Sequence, residues 1–290
     1  MTWLLLTLLS AFMLATADAL TKRYFPPGET RAAIAARFVL SGLWLLPWVP
    51  WAQLGSLPAG LWGVLALLIP LDILAFWLYV RAITLAPLSR TLPYLSFSPV
   101  FTLLSGYVLL GEAISARGAL GIGLIAAGAW CLNLAPSRGW RGIIAPFGAV
   151  LAEQGTRLML MAALLFSLTA TIGKAALNYL PGLPFAALYS AVLGVVAGVG
   201  MRLQGPRLWQ TATPRPWAML GVSLAMAVMV WSHFVAIEHV TVAYMIAIKR
   251  TSLVFGLIYG LVWFREPAFG RNLLAALIML AGVVLISLPA

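Results

Sequence analysis

The sequence predicts an all-α integral membrane protein whose ten transmembrane helices form two inverted five-helix repeats. Three observations carry this expectation. Of 290 residues, 63% are hydrophobic and 9% charged, too few charges to cover a soluble domain of that length. The apolar residues gather into ten stretches, and a spanning helix needs about 20 such positions. The second half of the chain also repeats the first at a fixed offset, with an odd number of stretches in each half.

In chain order the stretches lie at 2–20, 31–50, 58–82, 87–110, 117–135, 156–179, 184–203, 216–238, 241–264 and 270–288. The first, "MTWLLLTLLSAFMLATADAL", ends like a signal peptide but has no basic residues before its apolar run, and it takes part in the repeat. It therefore reads as a retained span. The second and third are separated by "LPAG", and the third carries Pro70 and Asp72 inside its apolar run. The fourth contains Pro93 and Pro99, which should break or bend it and free carbonyls that only protein or water can satisfy. The fifth follows the turn "GEAISARG", and "PSRGWRG" lies in the connector to the sixth. The sixth and seventh are separated by "LPGLP", and the ninth and tenth by "FREPAFGR". Tryptophans such as Trp44, Trp48, Trp51, Trp62 and Trp140 sit mostly near the ends of stretches and suit an interfacial belt.

A shift of 154 residues lays Trp77, Ala82 and Ile83 on Trp231, Ala236 and Ile237. It also lays Ser98, Phe101 and Gly106 on Ser252, Phe255 and Gly260, and Glu112, Arg117 and Gly128 on Glu266, Arg271 and Gly282. Paired Glu-x4-Arg with a glycine at the same distance is not a chance product of apolar composition. The predicted halves are 1–136 and 155–290, with 137–154 as a cytoplasmic connector. Because five is odd, the second copy enters the bilayer from the opposite side, the arrangement in which secondary transporters place a midplane site between halves.

The formal charge of +11 fits lysines and arginines held on cytoplasmic loops better than a nucleic-acid partner. Odd-numbered loops carry Lys22, Arg23, Arg31, Arg81, Arg90, Arg138, Arg141, Arg157, Arg202, Arg207, Arg215, Arg265 and Arg271, whereas even-numbered loops carry Arg117. The bias predicts both termini on the non-cytoplasmic side of the cell (inner) membrane. Cys131 is the single cysteine, so there is no intrachain disulfide and no thiolate cluster. Neither G-x-S-x-G, HExxH, an Asp-rich metal motif nor a Gly-rich nucleotide loop occurs, which leaves no cofactor, metal or enzyme signature.

The candidate site is "IKRTSLVF" in the ninth stretch. Lys249 lies about nine residues in, roughly 13 Å deep at 1.5 Å per residue, and each such charge costs about 2.5–3.5 kcal/mol at mid-bilayer. Lys249 and Arg250 point about 100° apart, so they need either a wet cavity or carboxylate partners. Asp72 in the third stretch is a candidate partner, while Lys174 in the sixth and His233 in the eighth add a cation and a candidate proton carrier. The surplus of positive charge points to an anionic small-molecule substrate, with protons as a coupling-ion option. Arg90, Tyr94, Phe97 and Phe101 share one helical face of the fourth stretch, either packing or lining a cavity. Ser98 and Ser252, related by the repeat, could donate to a ligand or to their own helices. Glu112 and Glu266, at the turns, are expected to cap and anchor.

The segments "PLSRTLPYLSFSPVFTLLSGYVLLGEAISARGALGIGLIAAGAWCLNL" and "TVAYMIAIKRTSLVFGLIYGLVWFREPAFGRNLLAALIMLAGVVLISL" resemble the EamA repeat of the drug/metabolite transporter superfamily. The resemblance covers nearly the whole chain. It implies ten helices, two inverted five-helix halves, a cavity lined by spans 1, 3, 4, 6, 8 and 9, and movement of small metabolites by alternating access. The Lys249–Arg250 pair is also similar to that of the sugar-phosphate translocator branch, where such a pair holds the substrate phosphate. The cation surplus and the resemblance together imply transport of a small anionic metabolite, phosphorylated ones included, or alternatively export of amino acids and other neutral or zwitterionic metabolites or drugs.

Overall fold

A computed structural model describes residues 2–25, 34–85, 92–133, 153–203, 215–265 and 269–288. All regular elements among these residues are helical. The α-helices are α1 (Thr2–Tyr24), α2 (Ser41–Leu45), α3 (Ala59–Leu85), α4 (Ser98–Leu110), α5 (Ala116–Asn133), α6 (Gln154–Ala176), α7 (Gly182–Leu203), α8 (Pro216–Glu238), α9 (Val242–Lys249), α10 (Ser252–Val262) and α11 (Phe269–Ser287). By length and composition six described stretches can cross a membrane: Thr2–Tyr24, Ala59–Ala82, Gln154–Ala176, Gly182–Leu203, Pro216–Glu238 and Val242–Val262. Three shorter apolar helices are Tyr94–Leu110, Ala116–Leu132 and Leu273–Ser287.

The stretch expected at 31–50 is not a regular helix. Residues Ala35–Leu40 are π-helical, α2 follows for five residues, and Leu46–Trp48 tightens to a 3-10 turn. Pro47 and Pro50 account for the 3-10 end of this stretch, because neither can donate to the preceding turn and each restricts the residue before it, whereas no proline lies in the π-helical part. Pro70 is by contrast accommodated inside the 27-residue α3. The described part of the fourth stretch opens as a 3-10 helix, Leu92–Phe97, and becomes α-helical at Ser98, with Pro99 in the first turn where its missing N–H costs nothing.

The chain forms two compact units. The first comprises Met1–Leu65, Ala176–His239 and Val254–Arg265. In it α1 packs along α8, and α7 packs on α8 and on the π-helical stretch. Its core joins Ala17, Phe25, Ala35, Ala36, Val222 and the methionines Met201, Met219, Met226 and Met229. Close approach occurs at Gly42, where an added Cβ would stand 2.7 Å from the Ser190 carbonyl oxygen. Trp44 donates its indole N–H to Ser223 at 2.9 Å, and Glu238, at the end of α8, accepts the Gly182 N–H that opens α7, also at 2.9 Å.

The second unit comprises Ala66–Ala175, Val240–Leu253 and Glu266–Ala290. Here α5 packs along α11, and α4 packs against α9. The α5–α11 seam is built on glycine. A Cβ at Gly121 would meet the Gly282 carbonyl oxygen at 2.9 Å and one at Gly128 would meet that of Ala275 at 2.7 Å. Gly282 crowds Ile125, and Gly128 crowds Met279. The 154-residue shift turns each of these contacts into the other, since Gly121, Ile125 and Gly128 correspond to Ala275, Met279 and Gly282. A contact set that exchanges into itself is the mark of a two-fold seam.

Candidate functional site around the ninth span

The site is organised by an interruption. Backbone donation changes at the end of α9: the N–H groups of Arg250 and Thr251 reach the carbonyls of Ala247 and Ile248, three residues back, at 3.0 and 2.9 Å. The Leu253 N–H then reaches Arg250 at 3.0 Å, and α10 starts at Ser252. Such tightening inside a long helix is a common place for a hinge or a binding feature. The shift of 154 pairs this region, 246–251, with the 3-10 segment Leu92–Phe97. In each copy the described residues just before the matched serine, Ser98 or Ser252, depart from α-helical bonding. In the fourth span the prolines explain the interruption. In the ninth span no proline is present, and the two cations occupy the break itself.

Arg250 points its guanidinium at Ser98. Its Nε donates to the Ser98 hydroxyl oxygen at 2.9 Å, and an Nη2 hydrogen reaches the same oxygen. Ser98 is buried at 1% exposure, so this hydroxyl is a fixed rest rather than a mobile surface contact. A guanidinium has five N–H donors, of which Ser98 engages two. Among the described residues no carboxylate forms an ion pair with Arg250. Lys249, half-buried on the preceding turn, interacts electrostatically with Arg250 and with Asp72 of α3. Tyr79, also on α3, lies within electrostatic reach of Arg250. Asp72, Phe76 and Tyr79 recur at i, i+4 and i+7, one face of α3. The rings of Phe76 and Tyr79 stack at 6.2 Å and 27°. Sequence reading singled out Asp72 and passed over the two rings, although the spacing was there to be found.

The other candidates divide. Tyr94 is 1% exposed and meets Trp130 edge-on at 5.3 Å, in a core with Ala82 and Met159. Phe97 also meets Trp130 edge-on, at 5.1 Å, so this aromatic face of the fourth span includes real packing. Ser252 opens α10, half-buried. Lys174 is taken by Glu112: the two form an ion pair, and Lys174 also donates to the Val240 carbonyl. The other Glu112 oxygen accepts the Val242 N–H at 2.8 Å, so one carboxylate caps α9 and holds α6. The Thr241 hydroxyl, at the helix N-cap, is buried without a hydrogen-bond partner among the described residues. His233 belongs to the first unit, 9% exposed and edge-on to Phe234 at 4.9 Å. Arg90 and Glu266 lie outside the described residues.

The family model described as the EamA-like transporter family matches residues 1–134 and 154–288. No curated protein matches the chain. Among the solved structures, a protein known from a crystal structure aligns with a TM-score of 0.70 over 98% of this chain and 96% of that one. At 16% identity the likeness concerns the fold.

Proposed function

We propose, from the premise that the chain belongs to the EamA-like transporter family, that this multi-pass membrane transporter moves a small anionic metabolite by alternating access, and that Lys249 and Arg250 receive the anion. The observation that carries the reading is the Arg250 guanidinium, seated at a helix break on an uncharged, buried hydroxyl with no carboxylate ion pair among the described residues. An arginine inside a span must be stabilised by something, and a serine oxygen engages only part of its donor set. A phosphate or carboxylate would fit the remaining N–H groups in bidentate fashion, with Lys249 as a second point charge.

The reading includes two inverted halves, 1–136 and 155–290, joined by 137–154, with both termini on the non-cytoplasmic face of the cell (inner) membrane. The self-exchanging α5–α11 seam and the matched interruptions before Ser98 and Ser252 support the inversion. Proton coupling belongs to the same proposal. The test is counterflow in reconstituted vesicles over a panel of small anions. Wild-type protein is expected to show saturable exchange with some of them, and Arg250→Ala to reduce it by on the order of a hundredfold, as expected for loss of a desolvated charge-assisted contact. Exchange that is indifferent to Arg250→Ala overturns the proposal.

A further inference from the structure

We infer that α6 is a gate over the Arg250 site and that the Glu112–Lys174 ion pair is its latch. The inference rests on the transporter reading above and adds how the site is opened.

Within the second unit the joint between α4 and α6 is polar, whereas the α5–α11 seam is built on glycine. Ser98, Thr102 and Ser105 recur at i, i+4 and i+7 on α4, and Ser167, Thr171 and Lys174 recur at the same spacing on α6. The five hydroxyl residues are all buried. The two lines meet where the Ser105 and Thr171 hydroxyl oxygens stand 2.7 Å apart. On α4 the line begins at Ser98, which holds Arg250, and runs about 10 Å along the helix to Ser105. Beyond its end Glu112 pairs with Lys174.

This joint can part without leaving a hydroxyl proton stranded, because each hydroxyl has an acceptor on its own helix. Thr102 donates to the Ser98 carbonyl at 2.6 Å, Ser167 to that of Leu164 at 2.7 Å and Thr171 to that of Ser167 at 2.9 Å. Ser105 reaches the Thr102 carbonyl at 3.3 Å and falls back on it when Thr171 withdraws. The oxygens uncovered suit water, where an apolar joint would expose hydrocarbon.

The latch and the anchor sit at opposite ends of α6. Lys174 bonds Glu112 and the Val240 carbonyl. Met159, about 22 Å away along the helix, packs in a cluster with Ala82, Tyr94 and Trp130. Meanwhile α4 and α9 are held to each other without α6. Arg250 rests on Ser98, and a Cβ on Gly106 would stand 2.8 Å from the Val242 side chain. The Lys174 end of α6 can therefore swing about its Met159 end while Arg250 stays in place, uncovering a line of hydroxyls that leads to it.

The test has two arms, both on full-length protein carrying Cys131→Ala. The first needs no transported anion. A Thr171→Cys thiol is expected to react slowly with N-ethylmaleimide, and Glu112→Gln to speed that reaction by about tenfold or more. Lys174→Met, which leaves the Val242 cap in place, is expected to do the same. An Ala163→Cys thiol, about two turns nearer the anchor, is expected to stay protected in every case. In the second arm Ser105→Cys and Thr171→Cys are joined as a disulfide in vesicles. Counterflow of inorganic phosphate and of acetate is expected to fall about tenfold or more on oxidation and to return with dithiothreitol. A Thr171→Cys thiol indifferent to loss of either latch residue overturns the inference. Equal acceleration at Ala163→Cys, or undiminished counterflow in the oxidised protein, does so too. None of these results touches the anion reading, which instead fails if no anion is exchanged or if Arg250→Ala is silent, and the labelling arm then still decides the gate.

Discussion

Ser98 and Arg250 show how one hydroxyl can govern a charged side chain. The serine is buried and accepts two guanidinium hydrogens, so its removal leaves donors facing a methyl group. Ser98→Ala is expected to lower the stability of the detergent-solubilised protein by about 1–3 kcal/mol, read as a fall in its thermal midpoint. A saturating anion should recover part of that loss, because a ligand bound to the folded form raises its apparent stability. Glu112 makes the complementary case, since one of its oxygens neutralises Lys174 while the other caps α9. Glu112→Gln keeps an acceptor for the Val242 N–H but strands a partly buried ammonium, at a cost of about 3–5 kcal/mol. Adding Lys174→Met should return most of that loss, and a double-mutant cycle on thermal midpoints measures the coupling.

At the level of elements, the interruptions and the seam do different work. The break between α9 and α10 places Arg250 where backbone bonding is already rearranged, whereas the α5–α11 seam allows no such freedom. A Cβ on Gly282 would stand 2.6 Å from a backbone oxygen of α5, which cannot step aside as a flexible side chain can. Gly282→Val is therefore expected to abolish folded, monodisperse protein in size-exclusion chromatography. Gly123→Ala, on the same α5 but with open space around it, should be neutral or slightly stabilising by helix propensity. These elements differ in how legible they were. Pro93 and Pro99 announced the irregular start of the fourth span, and the repeat announced that the ninth should match it. The Glu112–Lys174 pair gave no such signal, because 62 residues separate partners that meet only through packing. The 3-10 closure at Arg250 was equally silent, having neither proline nor glycine to mark it. Phe76 and Tyr79 were visible as spacing but not as a stacked pair, since ring orientation is not written in a period.

For the whole molecule, composition and the 154-residue shift were enough to establish a multi-pass membrane chain with family resemblance in both halves. What composition could not foresee was that the second stretch would use π and 3-10 turns in place of one long helix. The charge bias of the loops makes a separate prediction. Alkaline phosphatase fused after Ala290 is expected to be active, and a fluorescent protein fused there to be dark, because the former folds outside the cytoplasm and the latter within it. The reverse pair of results would place the basic loops outside and reverse the proposed orientation.

The α5–α11 seam has a consequence for ancestry. An interface that is its own image needs only one set of side chains, because Gly121 of one piece can meet Gly128 of a second, upturned piece. A single five-helix gene product inserted in both orientations could have closed on itself before any fusion joined the two. In such a lineage the fused copies stay tied at this seam: a bulky change on one side is felt at once by the other, while their remaining surfaces are free to diverge towards separate tasks.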